Sequence, residues 1–135
     1  RRMSAGFDHS RTSLLVAIME KRLEMNLQGE DIFVNIAGGL KVSEPAVDMG
    51  VAAAIAGSFR NQTVDPHTVM IGEVGLTGEV RSVMQLKARL TEVERLGFKR
   101  CVVPHSIRED KLLKKNSSLC LIPVKTLSEA FDAVF

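Results

Sequence analysis

The sequence GGLKVSEPAVDMGVAAAIAG, residues 38–57, decides how this chain folds. Its leading glycines end an apolar run, and a short polar loop then reaches Pro45, which suits the first turn of a helix because its missing N–H needs no partner there. An alanine-rich helix follows, and its small residues would let another backbone approach closely. We therefore expect this helix to be the packed centre of the domain. The small residues are Gly50, Ala53, Ala54 and Gly57.

The start of this helix lies directly after the end of a strand, where many proteins bind an anion or carry a nucleophile. The side chains available at this point belong to Pro45, Ala46 and Val47. None of them is a nucleophile, so the sequence argues against covalent catalysis at the start of this helix.

The composition predicts one globular domain over residues 1–135. Apolar residues make up 45% and charged residues 25%, and no apolar run approaches the ~20 residues that cross a bilayer, so we expect no membrane partner. A net charge of +2 is too small to indicate nucleic-acid binding by itself. The chain begins at Arg1 rather than at methionine, and we expect it to be a fragment of a longer protein.

Before the central stretch, the pattern predicts a short edge strand over residues 1–7 and a helix that Asp8 caps and that ends near Glu24. The run DIFVNIA, residues 31–37, is nearly continuous in apolar residues, which is typical of a strand covered on both faces. The central helix should extend from about Pro45 to Arg60.

After the central stretch, a loop over residues 61–67 leads to a predicted strand over residues 68–74. Glycines then recur every third residue in GEVGLTGEVRSV, residues 72–83, which favours a tight hairpin over a phosphate-binding loop. No GxxxxGK[ST] loop occurs in the sequence, so we do not expect this domain to hydrolyse nucleotides. A second amphipathic helix should span residues 84–96 and stop at Gly97.

The tail alternates short strands and helices, which indicates an α/β fold with some parallel strand pairs. Strands are predicted over residues 101–103 and 119–122, and a basic helix over residues 106–115. Thr126 and Glu129 form a capping box that should start the last helix. Cys101 and Cys120 lie in the strand patterns, so we expect buried, reduced thiols rather than a disulfide.

Three separated motifs resemble the C-terminal Lon-protease-like domain of the RadA (Sms) DNA repair and recombination proteins. They are DIFVNIAGGLKVSEPA (31–46), GEVGLTGEVRSV (72–83) and RLGFKRCVVP (95–104), and the similarity covers roughly residues 1–104. The resemblance implies an α/β sandwich with a mixed sheet, like the proteolytic domain of Lon and domain 2 of ribosomal protein S5. It also implies that a zinc finger and a RecA-like ATPase domain precede this piece, and that the full-length protein is a homohexameric, DNA-dependent ATPase.

The resemblance also identifies the positions of the Ser-Lys dyad of Lon proteases. Glu44-Pro45-Ala46 matches the motif that carries the serine, and Lys87 matches the lysine. Because Ala46 replaces the nucleophile, a lysine base has no hydroxyl to deprotonate. We therefore expect a degenerate dyad, and we expect that this domain alone is not an enzyme. Lys87 is either a relic base in a cleft or a helix-surface lysine that is paired with a carboxylate.

Basic residues near the end of the chain are the candidates for DNA contact. They are Lys99, Arg100, Lys111, Lys114 and Lys115, with Arg108 on the same predicted helix. A solvated helix face explains this pattern, and a phosphate-contacting patch explains it as well. The resemblance favours the patch, because the family acts on branched DNA.

The sequence therefore predicts a non-proteolytic Lon-like domain that serves as an oligomerisation scaffold and an accessory DNA-binding surface. The alternatives are an active or residual Ser-Lys peptidase, and a protein-interaction module with no role on DNA. We expect no cofactor, and no metal, because no histidine or cysteine lies at ligand spacing beside Glu44, Asp48, Glu73 and Glu79. The expected compartment is the cytoplasm of a bacterium, or the plastid or mitochondrion of a plant.

Overall fold

The computed structural model describes residues 1–105 and 109–135. Strands and helices alternate along the chain, which confirms the predicted mixed α/β class. The strands are β1 (Arg2–Ala5), β2 (Ile32–Asn35), β3 (Thr68–Met70), β4 (Glu73–Val74), β5 (Val80–Arg81), β6 (Arg100–Pro104) and β7 (Cys120–Val124). The helices are α1 (His9–Arg22), α2 (Asp48–Arg60), α3 (Leu86–Arg95), α4 (Glu109–Leu112) and α5 (Leu127–Val134).

The described strands form two parallel sheets and one antiparallel hairpin. β1 pairs with β2, and a second parallel sheet has the order β3-β6-β7. β4 and β5 form the antiparallel hairpin predicted from the glycine spacing. No strand of the described part of the chain joins the two parallel sheets, so β2 and β3 each have one unpaired edge.

The first helix begins at the predicted cap and ends slightly before the predicted residue. The Asp8 side chain accepts a hydrogen bond from the Ser10 N–H at 3.2 Å, and the helix ends at Arg22, two residues before the predicted end. Thr126 likewise caps α5 by accepting from the Glu129 N–H at 3.1 Å. Both caps satisfy an N–H group that has no partner inside the helix, which is why these starts were predictable.

The prediction that the strand near residue 33 is covered on both faces is wrong. Ile32 is buried, but the Phe33 side chain is 61% exposed. Met3, its partner in the register with β1, is 50% exposed. Side chains alternate between the two faces of a strand, and only one face of this two-stranded sheet packs on the core.

The central helix begins with one 3-10 turn, Pro45–Val47, and continues as α2. One side packs against α1, α5 and β4 at the centre of the domain, as predicted. A larger residue than glycine would clash at position 57, because its Cβ would lie 2.8 Å from the carbonyl oxygen of Gln62. The opposite side is not covered, since Ala54 and Ser58 are exposed.

The continuous strand predicted over residues 68–74 is divided into β3 and β4. The chain turns at Gly72, whose N–H donates to the Ala46 carbonyl oxygen at 3.0 Å. The Gly72 carbonyl oxygen in turn accepts from the Met49 N–H at 3.1 Å. Because the start of the central helix takes up these backbone groups, the strand cannot continue through this point.

Two further helix boundaries differ from the predictions. The second amphipathic helix begins at Leu86 rather than at residue 84, because Gln85 has a positive φ of 56°. The basic tail helix is limited to α4, which ends at Leu112. Its predicted start at Ser106 and the residue Arg108 lie outside the described residues.

Two buried clusters form the core, one between the helices and the first sheet and one beneath α3. Cys101 belongs to the second cluster, and its burial raises the pKa of the thiol to about 12. The prediction of a buried Cys120 is wrong, because this residue lies exposed at the start of β7. Within the described ranges, none of the helices has the length and apolar character needed to span a membrane.

Candidate functional site

Ala46 lies in the turn that starts the central helix, and its side chain faces the core. It is 4% exposed and belongs to the cluster that contains Ile71, Leu86 and Leu90. Its N–H donates to Glu44 Oε1 at 3.2 Å, and its carbonyl oxygen accepts from Gly72. The position that matches a serine nucleophile is therefore a buried methyl group with both backbone polar groups already bonded.

Lys87 lies in the first turn of α3 and is exposed. Its neighbour Leu86 packs into the cluster that contains Ala46. Consecutive residues of a helix point in directions about 100° apart, so Lys87 and Leu86 cannot both face that cluster. Among the described residues, no carboxylate forms an ion pair with Lys87. Lys87 therefore lies on the helix surface, as one interpretation expected, but, in the part of the chain that the structure describes, without the carboxylate partner that this interpretation included.

A buried ion pair includes Asp48, two residues after Ala46, and sequence reasoning missed it. Asp48 is fully buried and accepts from Arg11 Nε at 2.9 Å and from Arg11 Nη2. Its Oδ2 also accepts from the Val74 N–H at 3.1 Å. Hydrogen bonding to Asp48 is the main cause that raises the pKa of Arg11 above its ordinary value. The network joins α1, α2 and β4.

Two of the carboxylates considered as metal ligands also have other roles. Glu44 caps the Ala46 N–H and forms an ion pair with Arg89 of α3 at 3.2 Å. Glu79 accepts hydrogen bonds from the Thr77 N–H and hydroxyl in the hairpin, and the hydroxyl is the main cause that lowers the pKa of Glu79. The part of the chain that is described contains no cluster of three potential metal-binding side chains.

An open groove of about 940 Å³ lies between β2, β3, α2 and α3. Its lining is mainly apolar and includes Phe33 of β2, Met70 of β3 and Phe59 of α2. Its charged residues are Glu30 and Asp31, which precede β2, and Arg89 and Glu92 of α3. Of the two positions of the degenerate dyad, Ala46 borders the groove and Lys87 does not.

The predicted DNA-contacting residues differ in how free their charged groups are. Lys99, Lys111, Lys114 and Lys115 are exposed and form no ion pair with any carboxylate that the structure describes. Arg100 is half-buried, and its Nη2 donates to the Ala133 carbonyl oxygen at 3.0 Å. One nitrogen of the Arg100 guanidinium is therefore already bonded to the end of α5.

Two of the basic segments lie at one end of the domain. Lys99 follows α3, and its carbonyl oxygen accepts from the Cys120 N–H at 3.0 Å. The turn after α4 returns to the same end, because the Lys114 carbonyl oxygen accepts from Ser117 and the Ser117 hydroxyl donates to Glu94 of α3 at 2.9 Å. The fold therefore brings Lys99 and the turn that carries Lys114 to the carboxyl end of the same helix.

Comparison with known proteins shows the family of the chain. Residues 7–107 match the family model described as subunit ChlI of Mg-chelatase. A protein named DNA repair protein RadA from Halalkalibacterium halodurans is 56% identical over 98% of this chain and 28% of its own length. Proteins of the same name from Bacillus subtilis and Streptococcus pneumoniae are 49% and 38% identical, over 77% and 100% of this chain and 23% and 32% of their own lengths.

The relatives confirm the expected resemblance to RadA proteins. The family model that matches is described as subunit ChlI of Mg-chelatase and is not specifically that of a Lon-like domain. The match to this family model contradicts the expectation that this domain is not an enzyme, because the family is described by a subunit of an enzyme, Mg-chelatase. The chain spans about a quarter to a third of the length of these relatives. The chain belongs to the family described as subunit ChlI of Mg-chelatase and is a homologue of bacterial proteins named DNA repair protein RadA.

Proposed function

We propose that this chain is the Lon-like domain of a DNA repair and recombination protein of the RadA type. In this role it holds protomers together as an oligomerisation scaffold and adds a DNA-binding surface. The observation that carries the proposal is the 56% identity to a DNA repair protein RadA over 98% of the chain. The full-length protein would be a DNA-dependent ATPase in the cytoplasm of a bacterium.

The DNA-binding role rests on the free lysines. Lys99, Lys111, Lys114 and Lys115 are exposed, and a lysine without a carboxylate partner is available to a phosphate. The chain has no tryptophan or tyrosine, so it has little with which to stack unpaired bases. Binding through these lysines would therefore contact the duplex backbone and be largely indifferent to base sequence.

The scaffold role is supported by large apolar side chains on and next to the hairpin. Leu76 at the hairpin turn is 71% exposed, and Met84 after β5 is 79% exposed. Large exposed apolar side chains are typical of protein contact sites. In a homohexameric ring, the surface that carries them would meet a different face of the next protomer, and the rotation between protomers would close the ring.

Peptide hydrolysis of the Lon type is the alternative function, and the site does not favour it. A Ser-Lys peptidase needs a hydroxyl that its lysine can deprotonate. Ala46 supplies a buried methyl group, and Lys87 is exposed. The proposal therefore assigns the helix start a structural role, in which Glu44 caps it and Asp48 anchors it.

The DNA-binding role is tested by reversing two charges in the full-length protein, Lys111→Glu with Lys115→Glu. Fluorescence anisotropy with two duplexes of unrelated sequence measures binding over a series of salt concentrations. Each phosphate contact contributes roughly −0.9 to the slope of log K against log salt, so losing two contacts should flatten the slope by about two units. Both duplexes should weaken equally.

A matched control carries the same change of charge at another surface, Lys21→Glu with Lys41→Glu. Both control residues are exposed, on α1 and in the loop after β2. The control should keep the slope of the parent protein. If Lys111→Glu with Lys115→Glu binds with the parent slope, or if the control loses the same amount, the lysines form a solvated surface and the DNA-binding role is wrong.

A further inference from the structure

The groove follows the unpaired edge of β2 rather than one face of it. Five consecutive residues, 32–36, line the groove. Alternate side chains of a strand point to opposite faces, so a cavity that touches every residue in turn must run along the strand's edge. The same holds for β3, whose residues Val69, Met70 and Ile71 all line the groove. The groove thus lies between two strand edges.

The backbone groups at these edges are available for pairing. On β2, Ile32 and Ile36 donate to Arg1 and Ala5 on the side of β1, both at 2.9 Å. Successive residues of a strand direct their N–H and C=O groups to opposite edges, so those of Phe33 and Asn35 face the groove.

The edge of β3 has the same arrangement. Ile71 donates to Val102 of β6 at 2.9 Å, which leaves the N–H and C=O groups of Met70 on the groove side. Unpaired strand edges of this kind are templates for another strand.

The floor of the groove is the uncovered side of α2, where three small residues follow one another at helical spacing. Gly50, Ala54 and Ser58 line the groove and also line a second cavity of about 350 Å³ that continues towards the start of β3. In that second cavity, the Thr68 hydroxyl is buried and has no hydrogen-bond partner among the described residues. A buried hydroxyl without a partner is costly, so a polar group that enters this cavity would be stabilised by a hydrogen bond to it.

We propose that the groove receives an extended segment of the full-length protein, the stretch that immediately precedes Arg1, as a strand between β2 and β3. This strand joins the two parallel sheets of the domain into one. It pairs with Phe33 and Asn35 on one side and with Met70 on the other. It presents apolar side chains at alternate positions to the small-residue floor of α2, and it spans about five residues, or roughly 17 Å.

Two observations select this occupant. The chain covers only 28% of the length of the DNA repair protein RadA from Halalkalibacterium halodurans, so the greater part of such a protein lies outside residues 1–135. Arg1 lies next to the start of β2, on the side of β1, because its carbonyl oxygen accepts from the Ile32 N–H and its nitrogen donates to Asp31 Oδ1 at 2.9 Å. In the longer protein that nitrogen is a peptide N–H, and Asp31 and Ile32 both line the groove. A chain that enters Arg1 therefore needs only to pass the start of β2 to reach the unpaired edge on its other side.

The proposal is tested on the purified full-length protein in two measurements. The first is hydrogen exchange of the backbone amides of Phe33, Asn35 and Met70, which should exchange at least ~100-fold more slowly than unstructured amides. The second replaces Phe59, an aromatic residue of the groove lining, with the photo-reactive residue benzoylphenylalanine. Mass spectrometry then identifies the cross-linked peptide. The same probe at Lys21, an exposed residue outside the groove, is the control.

We expect slow exchange, and a cross-link within one polypeptide from position 59 to the stretch before Arg1, with no such cross-link from position 21. A cross-linked dimer would overturn the proposal in favour of a second copy paired at the same edges. Fast exchange of all three amides would overturn it as well, because the groove would then be open in the full-length protein. The exchange measurement needs no substitution, so a folding defect of the probe variant does not affect it.

Discussion

Replacing either partner of the buried ion pair between Arg11 and Asp48 should lower the free energy of unfolding, but by unequal amounts. Asp48 is 0% exposed, whereas the Arg11 side chain is 27% exposed. Arg11→Met leaves a buried carboxylate with only the Val74 N–H, and an uncompensated buried charge costs about 3–5 kcal/mol of the free energy of unfolding. Asp48→Leu leaves a guanidinium that can turn to solvent and one buried N–H without a partner, which costs about 1–3 kcal/mol.

The double variant distinguishes this account from simple loss of packing. Combining Arg11→Met with Asp48→Leu removes both charges, so only the N–H of Val74 remains unsatisfied. Adding Asp48→Leu to Arg11→Met should therefore restore about 2 kcal/mol. The matched control is Arg95→Met, because Arg95 pairs with Glu92 at the surface, where the side chains are 66% and 53% exposed. It should change stability by no more than about 0.5 kcal/mol.

The assay is urea unfolding at neutral pH, followed by far-ultraviolet circular dichroism because the chain has no tryptophan or tyrosine. The reasoning is refuted if Arg11→Met costs less than about 1 kcal/mol. It is also refuted if the double variant is less stable than Arg11→Met alone, since two independent losses would then simply add.

Three further predictions concern single positions. Gly6→Ala should cost roughly 2 kcal/mol or more in urea unfolding, because Gly6 has φ +81° and a Cβ would lie 2.4 Å from a backbone carbonyl oxygen, whereas Gly29→Ala, with nothing within 4 Å, should be nearly neutral. A thiol reagent at mildly alkaline pH should label Cys120 but not Cys101, whose burial keeps its pKa at about 12; labelling of both in the folded protein would contradict the buried thiol. Ala46→Ser should create no cleavage of unfolded protein and no labelling by a serine-directed probe, because the side chain at this position is 4% exposed; labelling at residue 46 would disprove this.

The local features of the fold could be predicted because each depends on neighbouring residues. Asp8 and Thr126 cap helices through hydrogen bonds to N–H groups two and three residues away. The hairpin follows from the spacing of Gly72, Gly75 and Gly78, and the proline-led start of the central helix from Pro45. In each case one short segment contains both the signal and its partner.

The features that sequence reasoning missed depend on residues far apart in the chain. The exposure of Phe33 follows from a sheet of only two strands, which no pattern within residues 31–37 indicates. The break at Gly72 is caused by hydrogen bonds to Ala46 and Met49. Arg11 is separated from Asp48 by 37 residues, although a single acidic residue in the first turn of an alanine-rich helix was an available signal.

The central claim is that residues 1–135 hold protomers of the full-length protein together. Light scattering over a concentration series gives the mass of the full-length protein and of a version that lacks this domain. The account predicts a homohexamer for the full-length protein and a smaller species once the domain is removed. A full-length protein that stays monomeric at high concentration, or a truncated protein that still assembles to the same number of subunits, would contradict the claim.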